Sequence, residues 1–107
     1  MLLCLDVGNT HILGGVYQGG KIAARFRYAT PLLGTADQFG IFLISILQAN
    51  HIDPASITAV ALSSVVPGCD YTLNHTITHY FNADYFVLRG DVQTGLKIHY
   101  TNPNEVG

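Results

Sequence analysis

Met1-Leu2-Leu3-Cys4-Leu5-Asp6-Val7-Gly8-Asn9-Thr10 is followed at once by a second apolar run, Ile12 to Tyr17. The apolar residues stop at a carboxylate, a glycine and two short polar side chains intervene, and apolar residues resume. The stretch reads as strand, tight turn, strand. Gly8 suits a backbone that takes an unusual φ or lies close to a ligand. Asn9 and Thr10 offer short side-chain donors beside freed backbone N–H groups. A carboxylate such as Asp6 holds Mg²⁺ directly or through water, and Mg²⁺ commonly arrives with phosphate. The turn therefore has the parts to grip the phosphates of a nucleotide through one metal and several hydrogen bonds. The same residues also suit a plain hairpin, so the rest of the chain has to decide.

Working outward, Gln18-Gly19-Gly20 signals a turn. Lys21–Tyr28 then alternates, with Ile22, Ala24, Phe26 and Tyr28 on one side and Lys21, Ala23, Arg25 and Arg27 on the other. Leu2–Val7, Ile12–Tyr17 and Lys21–Tyr28 thus form an antiparallel meander with one buried face. Pro31-Leu32-Leu33-Gly34 breaks it. Thr35-Ala36-Asp37-Gln38 is a capping box, and its helix runs to about His51, before the stop at Asp53-Pro54. Phe39, Ile41, Phe42, Leu43, Ile44, Ile46 and Leu47 surround most of that helix. Such a helix is covered on more than one side, by the sheet and by a further surface such as a second subunit. Ile57–Ser64 is a buried strand of the parallel type, ended by Val65-Val66-Pro67-Gly68. A second helix spans Asp70 to about Phe81, a fifth strand Asp84–Leu88, and Lys97–Tyr100 is a further short strand.

Composition bounds the function classes. The chain has 107 residues, 49% hydrophobic and 11% charged, with a formal net charge of −2. That is enough for one modest domain with apolar surface to spare. Five scattered cations and no Trp argue against a nucleic-acid groove, which needs a basic stripe. No apolar run reaches the ~18 residues of a membrane span. The first run has no basic flank and stops at Asp6, unlike a signal peptide. Cys4 and Cys69 lack C-x-x-C spacing and are expected as buried free thiols in a reducing cytoplasm.

Other polar residues have plainer readings. His75 and His79, four apart on a helix, share a face, but no third ligand is well placed for zinc, and a solvent-facing pair is expected. Ser63-Ser64 lacks a nucleophile elbow. Asp70 and Asp91 suit turn or N-cap positions.

The element order is βββαβαβ. Three antiparallel strands followed by α-β-α-β resemble the ribonuclease-H-like domain of the actin, hexokinase and acetate-kinase superfamily. This is an α/β fold with a mixed sheet flanked by helices, in which the first hairpin holds phosphate. The tail adds a second line. Leu96-Lys97-Ile98-His99-Tyr100-Thr101-Asn102-Pro103-Asn104-Glu105-Val106-Gly107 is a distinctive string. With Asp6-Val7-Gly8-Asn9-Thr10 and Ser63-Ser64-Val65-Val66-Pro67, it closely resembles the type III pantothenate kinases of bacteria. The three motifs span the chain in the right order and spacing.

The resemblance implies a cytoplasmic enzyme that phosphorylates pantothenate to 4'-phosphopantothenate with ATP and Mg²⁺, the first step toward coenzyme A. It implies a homodimer, two ribonuclease-H-like domains per subunit, and in some members a monovalent cation, K⁺ or NH₄⁺. Residues 1–107 would be the N-terminal domain, without the second. Asp6, Gly8, Asn9 and Thr10 would bind the phosphates of ATP, with Asp6 on the metal. Tyr100 and Gly107 would line the pantothenate pocket. In the family the tail continues into Ala-Asp-Arg, which carries the catalytic aspartate, so none is expected in this chain, and the 107 residues alone are expected to be inactive. Two rivals remain: a non-catalytic regulatory relative, and another phosphotransferase of the same superfamily. The intact hairpin argues against the first and the string from Tyr100 to Gly107 against the second.

Overall fold

The computed structural model describes residues 1–88 and the backbone of residues 98–100. Among them lie strands β1 (Leu2–Val7), β2 (His11–Gln18) and β3 (Lys21–Ala29), helix α1 (Ala36–Ala49), strand β4 (Ala59–Ser64), helix α2 (Asp70–Tyr80) and strands β5 (Asp84–Leu88) and β6 (Ile98–Tyr100). The strands form one mixed sheet in the order β3-β2-β1-β4-β5-β6. The meander β1-β2-β3 is antiparallel, β4 and β5 run parallel to β1, and β6 returns antiparallel to β5.

Alternation along the strands decides where the core sits. Leu3, Leu5 and Val7 of β1, Ile12 and Val16 of β2, Val60 and Leu62 of β4 and Tyr85 of β5 are buried on one face. Phe39, Leu43 and Leu47 of α1 and Leu73 and Ile77 of α2 close over the same face. Both described helices therefore share one side of the sheet. The opposite face carries Cys4, Asp6, Leu13, Arg25, Arg27, Ala61 and Ser63, which are half-buried or exposed. The near-continuous apolar run of β4 suggests a strand covered twice. Among the described residues it is covered once, and the outward positions Ala59, Ala61 and Ser63 are small rather than bulky.

The hairpin between β2 and β3 is closed by Gly19 and Gly20 at φ 57° and 79°. Both are left-handed, the combination that matches strand twist in a two-residue turn. Helix α1 begins as expected. The Thr35 hydroxyl accepts from the Gln38 N–H, and the Gln38 side chain accepts from the Thr35 N–H. It ends by a device that the Asp53-Pro54 stop does not reveal. His51 takes a left-handed φ of 60°. Its N–H donates to Gln48 O, and the Ile52 N–H donates to Leu47 O at 2.9 Å. That is a Schellman closure, with Ile52 buried beyond it.

The apolar circumference of α1 has two covers within this chain. On the sheet side, Phe39 and Phe42 meet Tyr28 with ring centroids 5.2 and 4.6 Å apart. On the other, α2 presses the Tyr80 ring onto Gly40, where a Cβ would collide with it. The Tyr80 hydroxyl donates to Asp37 Oδ1 at 2.6 Å. The second cover within this chain is thus α2. Ile41 is left 60% exposed. No helix among the described residues is long and apolar enough to cross a membrane.

Candidate functional site

Burial of Val7 fixes the end of β1, and alternation then projects Asp6 from the face opposite both described helices. Its Cα partners are Leu13 on β2 and Ser63 on β4, so the carboxylate stands near the middle of the sheet. Gly8, Asn9 and Thr10 make the turn to β2. The Gly8 N–H donates to His11 O at 2.9 Å.

A residue far along the chain holds this turn in place. Thr30, only 7% exposed, follows β3. Its hydroxyl donates to Gly8 O at 2.8 Å, and its N–H donates to Thr10 O at 2.9 Å. The exit of β4 is tied to the same place, since the Val65 N–H donates to Val7 O at 3.1 Å. Two of the turn's carbonyls are thereby engaged from behind. Among the described residues, the backbone N–H groups of Asn9 and Thr10 and the side chains of Asp6, Asn9 and Thr10 have no partner. The carbonyls of Val7, Gly8 and Thr10 are occupied, while these donors and the carboxylate are not.

These groups line a cavity of about 440 Å³, with His11, Leu13, Arg27 and Val65 completing the wall. A second cavity of about 440 Å³ adjoins it on the open face. It shares Asp6 and Leu13 and is bounded by Cys4, Tyr17, Arg25 and Ser63.

Residues 2–107 match the profile of a family described as type III pantothenate kinase. The chain belongs to the type III pantothenate kinase family. Among its relatives are the type III pantothenate kinases of Legionella pneumophila strains Corby, Lens and Paris, each 50% identical over 107 residues. The aligned stretch is 100% of this chain and 41% of each relative, so the chain spans about two fifths of their length.

Within this member of the family, Asp6, Gly8, Asn9 and Thr10 line one cavity. The structure decides one detail. Gly8 is not among the glycines at positive φ, and a Cβ there would meet only His11 O, at 3.4 Å. The turn closes through the Gly8 N–H without a left-handed residue, so backbone conformation does not demand glycine. The Tyr100 backbone pairs with Phe86 on β5. The Tyr100 side chain, Gly107 and Asp91 lie outside the described residues. Asp70 is the first residue of α2 rather than its N-cap, which is Cys69 without a side-chain cap. There the carboxylate still favours the positive end of the helix.

The remaining polar residues have local explanations. His75 and His79 are both exposed, with rings 5.5 Å from Tyr71 and 5.0 Å from Tyr80. The Ser64 hydroxyl accepts from the Val66 N–H at 3.1 Å, a turn that ends β4 beside the hairpin cavity. Cys4 and Cys69 are free, but half-buried rather than buried. Burial on the open face pushes the Cys4 thiol up from its ordinary value. Thr30 and Arg27 escaped the sequence reading. Thr30 precedes Pro31 and looks like part of a chain break, whereas the alternation of β3 did place Arg27 on the face where the cavity opens.

Proposed function

We propose that the Asp6–Thr10 hairpin is the phosphate grip of an ATP-dependent kinase that converts pantothenate to 4'-phosphopantothenate, the first step of coenzyme A synthesis. The observation that carries this reading is the polarity of the turn. Thr30 occupies the carbonyls of Gly8 and Thr10 from behind. The N–H groups of Asn9 and Thr10 and the two side chains have no partner among the described residues, and both residues line the cavity. A loop that offers N–H groups and hides C=O groups suits a polyanion.

Asp6 also fits Mg²⁺. A hard oxygen donor that is exposed and unpaired beside a phosphate cradle is what this cation takes when it keeps most of its waters. When bound, Mg²⁺ would neutralise charge on the transferring phosphates. The chain's own residues would then position: Asn9 and Thr10 hold phosphate oxygens, and Val7, anchored in the core, keeps Asp6 at a fixed height on the sheet. Such fixed donors act without reorganisation as charge moves onto the leaving oxygen.

Resemblance to the family supports the remaining proposals. The domain is ribonuclease-H-like and N-terminal in a two-domain kinase. Tyr100 and Gly107 line the pantothenate pocket, and the catalytic aspartate is supplied beyond Gly107. The working enzyme is a cytoplasmic homodimer, for which exposed Ile41 on α1 is a ready apolar contact; sedimentation that finds only monomer at high concentration would remove it. Omitting K⁺ and NH₄⁺ from the assay tests the monovalent-cation requirement.

The deciding experiment is Asp6→Asn in a full-length kinase carrying residues 1–107. Turnover is expected to fall by about 10²- to 10³-fold, the scale of losing one preorganised electrostatic contact. Circular dichroism and melting are expected to stay at the wild-type values, because the side chain is exposed. Turnover near the wild-type value overturns the assignment.

A further inference from the structure

The chain has five Lys and Arg residues, and three of them, Lys21, Arg25 and Arg27, lie on β3. The other two fall outside the described residues. Arg25 and Arg27 are two apart on a strand and so project from the same face, the one opposite both described helices. Their registers differ in consequence. Arg25 stands opposite Gly15, in the row of Cys4. Arg27 stands opposite Leu13, which stands opposite Asp6. Arg27 is thus the Lys or Arg that lines the hairpin cavity among the described residues, while Arg25 lines the neighbouring one.

Arg27 and Asp6 lie two strands apart, roughly 10 Å between backbones. Leu13 separates them and offers no polar atom. A guanidinium placed to neutralise the carboxylate would sit on the adjacent strand. Here the two charges flank a cavity, and Arg27 is exposed with no hydrogen bond or ion pair among the described residues. In a chain of net charge −2, a cation kept free at the rim of a donor-lined cavity is a specific placement.

We infer that Arg27 is a phosphate-binding residue, whose guanidinium holds the nucleoside triphosphate's terminal phosphates from the side opposite Asp6. The inference rests on the hairpin being the phosphate grip and adds the cation that this grip lacks. A planar fork of donors matches phosphate oxygens in pairs. Charge spread over the transferring phosphoryl group calls for a cation beside it as well as a metal.

The test is steady-state kinetics on a full-length kinase carrying residues 1–107, with four variants. Arg27→Met is expected to lower kcat/KM for ATP by about 10- to 100-fold, the scale of one charge-assisted contact. The KM for pantothenate and the melting temperature should stay within error of wild type, which a merely structural arginine would not predict. Arg27→Lys should recover part of the loss, since it keeps charge without the fork. Arg25→Met, one row away, should remain within about twofold of wild type. If Arg25→Met is as damaging as Arg27→Met, the effect is general surface charge and the inference falls. If Asp6→Asn abolishes turnover while Arg27→Met stays within twofold, the hairpin reading stands and the role of Arg27 falls. If Asp6→Asn is itself near normal, the hairpin reading fails and takes this inference with it.

Discussion

Thr30 shows how one residue can set the chemistry of a turn it is remote from in sequence. Its two bonds, to Gly8 O and Thr10 O, fix which way the hairpin's peptide groups point. Thr30→Val keeps the shape and removes the hydroxyl, leaving the partly buried Gly8 carbonyl without its donor. The expected cost is about 1–2 kcal/mol, seen as a melting temperature lower by several degrees, together with a raised KM for ATP. Thr30→Ser keeps the bond and should behave nearly as wild type. Equal melting of the Val variant and wild type would show that the clamp holds nothing. At this scale the sequence was legible where the signal is local. Asp6, Gly8, Asn9 and Thr10 announce themselves as polar and small residues between two apolar runs. Thr30 was not legible, because its partner Gly8 is 22 residues away. Of the two uses offered for Gly8, the unusual φ is absent, which leaves close approach to a ligand.

Among the elements, α1 was legible at its start and less so at its end. The capping box is a four-residue code and formed as expected. The terminus depends on His51 entering the left-handed region, which His does at a cost and Gly does freely. His51→Gly should therefore raise stability, by roughly 0.5–1 kcal/mol. Thermal or urea unfolding checks it; a lower melting temperature would mean that the His side chain contributes more than its backbone costs. What covers α1 was also hidden. Periodicity marks apolar faces but is silent on whether a helix of the same chain or another chain meets them. Here Gly40 lets the Tyr80 ring reach the α1 backbone, and α2 takes the place.

For the molecule as a whole, the order of elements was legible, and the placement of both helices on one face was not. Handedness and layer choice depend on connections that composition does not encode. Tyr85, 3% exposed on β5, belongs to that single core. Burial, with the Asp70 carboxylate nearby, pushes its phenol up to about 12. The folded value thus lies above the unfolded one of about 10. The unfolded chain releases this proton first as pH rises. The contribution is present in full below pH ~10 and is lost as pH climbs through ~12, reaching roughly 2–3 kcal/mol. Urea midpoints between pH 9 and 12 should fall more steeply for wild type than for Tyr85→Phe; identical slopes would refute this. β3 is an edge strand, paired only with β2 among the described residues, and it gathers Lys21, Arg25 and Arg27. An edge with free backbone groups invites other chains to add to it, and like charges along it repel that addition. In a chain with 11% charged residues, few other positions can serve as gatekeepers against aggregation. Selection for solubility and selection for a ligand therefore act on the same short strand, and neutralising all three cations at once should bring edge-to-edge association together with the loss of ATP binding.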